Sequence, residues 1–330
     1  MSKNFTRATL CASLVTLTGT SYELTRTLPL EQVEFLQESF GKLGTHITKK
    51  DEALLFSPTG TPRVRSQTLT LPEIDVQAFL AGILPLLLFS NTNLEITLQG
   101  VNHSPETKTI AWYHELLFRY LRQYMGAYSL QVPKARMTSE GEFIVRVQSK
   151  QQLSRVTPPL VISPQEQLTH IAVQLIEESE ERLDSHEKLL RLAYKKLNIP
   201  LRFSTRIAPF SALTQVLFYG SPEGYDNDHA FLHGSSYVTK KWKEEQLLAE
   251  VQKLNTLRSQ TLLSNAEAEL LLPIMALTGG SMPVNASEYT ELLTFLSDIL
   301  SIDFYTSETL CETEGYSAVH APEVLDVDDI

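Results

Sequence analysis

Helical and strand-like patterns alternate along this chain, and this alternation is the feature that most limits its fold. Residues 30–44 carry apolar side chains at helical spacing and end at Gly44, whereas residues 45–60 have the pattern of a short hairpin. The same order recurs downstream: helices are predicted over 74–89 and 106–126, and strands over 93–100, 128–132 and 142–147. A recurring unit of helices and strands predicts a mixed α/β (α+β) fold built from repeats.

The pattern changes near Thr157. Ser163-Pro164-Gln165-Glu166 has the features of a capping box, which predicts a helix that runs to about Leu197. Strands over 210–220 and 230–238 and a second amphipathic helix over 240–257 complete what we interpret as an inserted two-helix α/β domain. The predicted division is repeats one and two over 1–157, the insert over 158–259, a third repeat over 260–306, and an acidic, disordered tail over 307–330.

The charge balance limits the choice of partner. The formal net charge is −11, and residues 308–330 hold seven acids and no Lys or Arg, which leaves about −4 on the rest of the chain. General nucleic-acid binders usually show a basic excess, so any nucleic-acid contact here would be a local patch. The tail is open to two interpretations: a solvated end, or a segment that docks on a basic partner or on the chain's own basic cleft.

The two cysteines, Cys11 and Cys311, have no metal-ligand spacing and suggest no disulfide framework, which favours a reducing, cytoplasmic setting. The N-terminal residues also imitate a signal or transit peptide, and the sequence leaves that alternative open. The longest apolar run, residues 79–89, is shorter than the roughly 20 residues a bilayer span needs. We therefore expect no membrane insertion.

Taken in order, several segments resemble the RNA 3′-terminal phosphate cyclase family, over residues 5–304. They are TRATLCASLVTLTGTSYEL (6–24), ILPLLLF (83–89), LEITLQGVNHSP (94–105), WYHELLFRYLRQYMG (112–126) and AELLLPIMALTGG (268–280). Arg7 falls at that family's arginine and Gly19 at its turn. The order and spacing of the segments carry the resemblance, and the predicted insert falls where that family carries one.

The resemblance implies three helix-on-sheet repeats around a pseudo-threefold axis, an architecture shared with enolpyruvyl transferases, plus an inserted α/β domain. It also implies a reaction. The family adenylates a histidine with ATP, passes AMP to an RNA 3′-phosphate, and closes a 2′,3′-cyclic phosphate. That reaction needs a nucleophilic imidazole, cations and a metal for the triphosphate, and backbone N–H groups for anions.

Several of those groups are missing from the matching positions. The family's histidine should fall at Glu288, Tyr289 or Thr290, and none of these has an imidazole. Its glycine-rich phosphate loop would precede Arg7, where the sequence has no glycine. The family's adenylate contacts fall on Ala266, Glu269 and Leu270, its second-repeat glutamine on Ala81, and an aspartate on Ala111. A segment with paired arginines and a histidine is also deleted between Glu23 and Glu31.

His103 is the candidate for a relocated nucleophile, although a solvated loop histidine is the plainer interpretation. Arg63 and Arg65, and likewise Lys134 and Arg136, alternate in extended segments and could line an anion site. Four other features have a core or surface role as the simpler interpretation. They are His114, a possible metal pair at His229 and His233, a basic helix start at Lys240, Lys241 and Lys243, and a possible base-stacking stripe at Tyr120, Tyr124 and Tyr128. The predicted RNA- or nucleotide-facing residues are Arg7, Arg63, Arg65, Asn102, His103, Lys134, Arg136 and Glu269.

The sequence thus predicts a cyclase-like protein that has lost catalysis and acts in binding or assembly, with RNA or an RNA-processing protein as its partner. No cofactor or metal site is expected. The first alternative is an active RNA 3′-phosphate cyclase that uses ATP, a divalent metal and a relocated nucleophile. The second is an enolpyruvyl-transferase relative, but that fold needs six repeats, and this chain has room for three plus the insert.

Overall fold

The computed structural model describes residues 2–60, 66–90, 94–101, 117–131, 140–149, 153–154, 156–162, 170–177, 179–195, 201–207, 214–221, 234–239, 263 and 265–320. The helices in these ranges are α1 (Ser2–Thr18), α2 (Leu30–Leu43), α3 (Val76–Phe89), α4 (Phe118–Leu121), α5 (Glu180–Lys195), α6 (Asn265–Thr278), α7 (Thr290–Leu300) and α8 (Gly315–Val319). None of the described helices is both long and apolar enough to cross a membrane.

The described strands form four sheets. The first contains β1 (Tyr22–Leu24), β2 (Thr45–Lys50) and β3 (Ala53–Pro58), in the order β1-β3-β2. The second contains β4 (Ser66–Asp75), β5 (Leu94–Val101), β6 (Met125–Gln131) and β7 (Glu140–Ser149), in the order β4-β5-β7-β6. The third contains β8 (Leu160–Val161), β13 (Gly280–Met282), β14 (Tyr305–Thr306) and β15 (Cys311–Thr313), in the order β14-β15-β13-β8. The fourth contains β9 (His170–Glu177), β10 (Leu201–Ile207), β11 (Thr214–Ser221) and β12 (Gly234–Thr239), in the order β10-β9-β11-β12.

Parallel pairing occurs where a helix separates two strands. The β4–β5 pair is parallel with α3 between them, and the β9–β10 pair is parallel with α5 between them. A parallel pair needs a crossover long enough to return to the same end of the sheet, which a helix supplies. Most other pairs are antiparallel, as in the β2–β3 hairpin. The fold is therefore a mixed α/β fold, as the alternation of patterns predicts.

The first three sheets and the helices packed on them share one core. Side chains from β3, β5 and β13 all belong to the same buried cluster, for example Phe56, Ile96 and Met282. Buried side chains on β9 and α5, such as Leu175 and Leu190, lie outside that cluster. The fourth sheet and α5 therefore contribute no described side chain to the main core.

Helix α1 lies in the centre of the core despite its many hydroxyl side chains. Ser13 donates a hydrogen bond to the carbonyl oxygen of Gly82 in α3 at 2.9 Å, and also bonds within its own helix. Gly82 is required there because a Cβ would collide with Thr9 of α1. A buried hydroxyl is tolerated when it is hydrogen-bonded, so the Thr- and Ser-rich sequence is compatible with a core helix.

The helix and hairpin predictions for the first part of the chain are confirmed. Helix α2 ends at Gly44, whose positive φ of 113° suits glycine, and the hairpin β2–β3 follows directly. In contrast, the helix predicted over 106–126 is not continuous to its end. Among its described residues, Leu117, α4 and a 3₁₀ turn at Arg122–Tyr124 are helical, and strand β6 already begins at Met125.

The structure differs from the predicted pattern at three further places. The helix predicted from Ser163 to Leu197 is wrong over 170–177, which form strand β9 between two other strands; helix α5 begins only at Glu180. Strand β8, which falls just inside the predicted insert, pairs with β13 of the third sheet. Residues 307–320 of the predicted disordered tail contain strand β15, with Cys311 and Thr313 buried and Glu312 exposed, and helix α8.

Candidate functional site

The segment that most resembles the family is built around α6, and its C-terminal end is a packing junction. The chain leaves α6 through Gly279 and Gly280, both with positive φ. A Cβ at Gly280 would overlap the carbonyl oxygen of Leu160, and a Cβ at Gly279 would overlap that of Glu314. The Gly279 N–H donates to Met275 at 2.8 Å, and its carbonyl accepts from Leu160 at 2.8 Å. These glycines therefore allow close backbone packing and do not form an anion-binding loop.

The N-terminal end of α6 lies beside Arg7 of α1. The Arg7 guanidinium carbon is 4.7 Å from the centre of the Phe295 ring on α7, a cation–π contact. Its Nη1 atom is buried and has no hydrogen-bond acceptor among the described residues. Burial, and then the neighbouring Arg26, lower the pKa of Arg7 to about 10, while Glu269 and Tyr22 act in the opposite direction. Arg7 is thus a partly desolvated cation held between an aromatic ring and acidic neighbours.

Ion pairs within the chain surround Arg7. Arg26 donates to the side-chain oxygen of Asn4 at 2.7 Å and forms an ion pair with Glu291 of α7. Lys3 Nζ lies 3.7 Å from a carboxylate oxygen of Glu269. We call the set Lys3, Arg7, Arg26, Glu269, Glu291 and Phe295 the Arg7 cluster. Its cations already have carboxylate neighbours that belong to the same chain.

The positions matched to the family's histidine lie next to this cluster. Glu288 is exposed and accepts a hydrogen bond from Asn285 at 2.9 Å. Tyr289 is buried, and its hydroxyl donates to the Asn265 side chain at 3.0 Å. Thr290 donates to the Ser287 carbonyl at 3.1 Å. These three positions present a carboxylate, a phenol and a hydroxyl, each with a local hydrogen-bond partner.

The electrostatic surroundings of Tyr289 are acidic. Burial raises the pKa of the phenol well above its ordinary value, and Glu288, Glu269 and Glu267 raise it further. Among the described residues, no three His, Cys, Asp or Glu side chains are placed to hold a metal ion together. Because its pKa is raised, the Tyr289 phenol stays protonated at neutral pH.

This acidity extends over the whole C-terminal segment. Residues 259–330 contain thirteen Asp and Glu residues and no Lys or Arg. The three cations of the Arg7 cluster, Lys3, Arg7 and Arg26, all come from the first 26 residues. The absence of Lys and Arg from this segment was a readable signal in the sequence, and it predicts a surface that repels phosphate groups.

The structure brings together two of the predicted site residues, Arg7 and Glu269, which are close enough to interact electrostatically. Lys3, Arg26 and Phe295, which sequence reasoning missed, complete their surroundings. The other predicted site residues lie outside the described ranges: Arg63, Arg65, Asn102, His103, Lys134 and Arg136. The same holds for Ala111 and for the remaining histidine and lysine candidates, namely His114, His229, His233, Lys240, Lys241 and Lys243.

The tyrosine stripe contains a core residue. Tyr124 is fully buried, and its hydroxyl donates to the carbonyl oxygen of Pro158 at 2.9 Å. Its ring also contacts Phe89 at a centroid distance of 5.2 Å. A side chain in this position is not available to stack on a base.

These features define the class of protein: an α/β protein in which three small sheets and their helices share one core. A family model described as RTC, RNA 3′-terminal phosphate cyclase, matches residues 32–304. The chain therefore belongs to the RNA 3′-terminal phosphate cyclase family.

Among solved structures, the chain is similar to the EPSP synthase from Acinetobacter baumannii, with 13% sequence identity, over 93% of this chain and 80% of that chain. The TM-score is 0.28, which is too low to establish a shared fold. No curated protein matches the chain.

Proposed function

We propose that this chain is a member of the RNA 3′-terminal phosphate cyclase family that has lost nucleotidyl transfer and acts by binding, as an assembly partner in RNA processing. The observation that carries the proposal is the set of side chains at 288–290. A protein–AMP bond of the kind the family forms needs a ring nitrogen as nucleophile. The exposed carboxylate of Glu288, the buried phenol of Tyr289 and the hydroxyl of Thr290 offer none.

The electrostatics of the Arg7 cluster support the same proposal. A triphosphate would approach Glu267, Glu269, Glu288 and Glu291, and like charges at close range are unfavourable unless cations outnumber them. Lys3 and Arg26 are already paired with Glu269 and Glu291. Arg7 is covered on one side by Phe295. ATP binding here would have to displace contacts that the chain makes with itself.

The backbone gives further support. The family's phosphate loop would precede Arg7, but residues from Ser2 onward are already part of α1. Gly279 and Gly280, the most recognisable glycines of the family segment, have their neighbouring space filled by Glu314 and Leu160. Neither region is arranged as a ring of free N–H groups around an anion.

The binding role follows from what the chain retains. The core and the family segment are kept, whereas the groups that would carry out the reaction are absent from the positions that match them. Family membership makes RNA processing the natural setting, and the acidic C-terminal segment favours a protein partner over direct contact with phosphates. In this proposal neither ATP nor a divalent metal is needed for function.

The test is incubation of the full chain with ATP labelled at the α-phosphate and with magnesium, followed by denaturing electrophoresis. We expect no label on the protein, and a covalent AMP adduct on wild type would overturn the proposal. A matched His103→Ala variant separates the alternatives. If wild type is labelled and the variant is not, the chain is an active cyclase with a relocated nucleophile.

A further inference from the structure

A groove runs along the outer face of α7, next to the face that contacts Arg7. Its volume is about 710 Å³, and it lies between α7 and the segment that contains β14. Thr290, Thr294 and Asp298 line the α7 side. Asp303, Phe304 and Glu308 line the other side. The groove is separate from the Arg7 cluster: Glu291 contacts Arg26, Phe295 contacts Arg7, and neither residue lines the groove.

The groove has an uncompensated negative charge. Asp298, Asp303 and Glu308 are exposed, and the ion pairs found among the described residues involve none of them. No described residue that lines the groove is Lys or Arg, and the sequence contains neither type from residue 259 onward. The three carboxylates are not grouped so that they could hold a metal ion together. The charge is therefore spread along the groove, which suits an elongated cationic ligand.

The groove also offers apolar surface and an open sheet edge. Phe304 is half-buried at its wall, and Leu293 of α7 lies at its base. Tyr305, the first residue of β14, is 61% exposed. β14 is an edge strand of the third sheet, so its outer backbone edge pairs with no described strand. An exposed edge beside an aromatic residue is a common docking place for extended peptides.

We infer that this groove binds an extended segment of a partner protein that is rich in lysine or arginine. The positive side chains of the segment pair with Asp298, Asp303 and Glu308, its backbone runs alongside β14, and its aliphatic stems pack on Phe304 and Tyr305. RNA does not fit, because its phosphates would face three carboxylates. The inference gives a partner class to the binding role proposed above, but it does not depend on whether the chain transfers AMP.

The experiment is fluorescence anisotropy with the full chain and a fluorescein-labelled twelve-residue peptide of alternating lysine and serine, at near-physiological salt. We expect binding by wild type. The groove variant Asp298→Asn, Asp303→Asn, Glu308→Gln should bind at least tenfold more weakly. A control variant, Glu31→Gln, Glu34→Gln, Glu52→Gln, removes the same charge from exposed sites in and after α2 and should differ from wild type by less than twofold.

A second groove variant tests whether the site of the charge change matters when all three acids are kept. Thr294→Arg keeps all three acids but places a cation in the middle of the groove, and it should weaken binding as much as the triple variant. Circular dichroism and thermal unfolding check that each variant is folded. Equal weakening by the groove and control variants, or no binding by wild type, would overturn the inference.

A labelled twelve-nucleotide single-stranded RNA serves as the other probe. We expect no binding by RNA at the groove, and RNA binding that the peptide displaces and the groove variant abolishes would also overturn the inference. The AMP-labelling test does not involve any groove residue. A failure of the groove inference and a failure of the proposed function can therefore be told apart.

Discussion

The two ends of helix α6 differ in what their residues do. At the C-terminal end, Gly279 and Gly280 admit the backbones of Leu160 and Glu314 at distances that no side chain would permit. At the N-terminal end, Glu267 and Glu269 lie near Arg7 and Tyr289, among acids, aromatic rings and ion pairs. The sequence resemblance places the family's Gly-Gly turn at the packing end, and it places the family's adenylate contacts on Ala266, Glu269 and Leu270 at the other end. The resemblance of this segment to the family is therefore evidence for a shared architecture before it is evidence for a shared reaction.

The largest expected effect is at the packing end. Gly280→Ala combines a φ of 125°, which residues other than glycine rarely adopt, with overlap of the Leu160 carbonyl. We expect a loss of about 2–5 kcal/mol in the free energy of unfolding, measured by urea denaturation. Gly41→Ala is the matched control, because a Cβ at Gly41 in helix α2 would have no other atom within 4 Å, and it should stabilise the protein slightly. A Gly280 variant as stable as wild type would contradict the packing role.

A smaller loss is expected from Tyr124→Phe, at the same end of α6. The Tyr124 hydroxyl bonds to Pro158 at 2.9 Å and to Thr278 at 3.4 Å, and its removal leaves the partly buried Pro158 carbonyl without that donor. The free energy of unfolding should fall by about 1–2 kcal/mol. Tyr305→Phe, at a tyrosine that is 61% exposed, should change it by less than about 0.5 kcal/mol. Similar losses in both variants would show that the hydrogen bonds of the Tyr124 hydroxyl do not account for the change in stability.

At the opposite end, Tyr289→Phe tests the acidic surroundings through pH. The folded chain raises the pKa of this phenol, so above about pH 10 the unfolded chain releases a proton that the folded chain retains. The contribution of the Tyr289 phenol to the free energy of unfolding is fully present below pH 10 and is lost as the pH rises above that value. At pH 7 the variant should lose about 0.5–1.5 kcal/mol with the Asn265 hydrogen bond, and the gap to wild type should narrow by pH 10.5. Urea unfolding at both pH values measures the difference in unfolding free energy between wild type and variant. The same difference at pH 7 and pH 10.5 would contradict a raised pKa for Tyr289.

The smallest effects are expected from the ion pairs of the Arg7 cluster. Glu291→Gln should cost about 0.2–1 kcal/mol at low salt and less at high salt, because Glu291 is largely exposed. Lys3→Gln should have no measurable effect, since the Lys3 side chain is 89% exposed. Thermal unfolding at two salt concentrations checks both. A loss above about 2 kcal/mol for Glu291→Gln would mean that this end of α6 stabilises the fold as strongly as the packing end.

Much of the fold could be predicted from local patterns. Helix α2 with its glycine stop, the β2–β3 hairpin and the helix–Gly-Gly–helix segment all have signals that depend on neighbouring residues. Strand β9 was missed because the capping box at 163–166 and a few leucines at helical spacing favoured a helix over the β-branched residues Ile171, Val173 and Ile176. The register between β8 and β13 depends on residues 120 positions apart, which no local pattern encodes.

The site was harder to predict than the fold. Arg7 and Glu269 were identified from the family resemblance, but their closeness depends on how α1 packs beside α6 and α7. Arg26 was missed because it lies where the resemblance places a deletion. The groove along α7 depends on the ordered residues 303–308, part of which the acidic composition had assigned to a disordered tail.

The proposal that catalysis is lost is tested most directly on the reaction itself. An RNA oligonucleotide with a 3′-phosphate is incubated with the full chain, ATP and magnesium, and its end is analysed by mass spectrometry. With no imidazole at 288–290 and an acidic surface around those residues, we expect the 3′-phosphate to remain unchanged. Conversion of the end to a 2′,3′-cyclic phosphate would contradict the account.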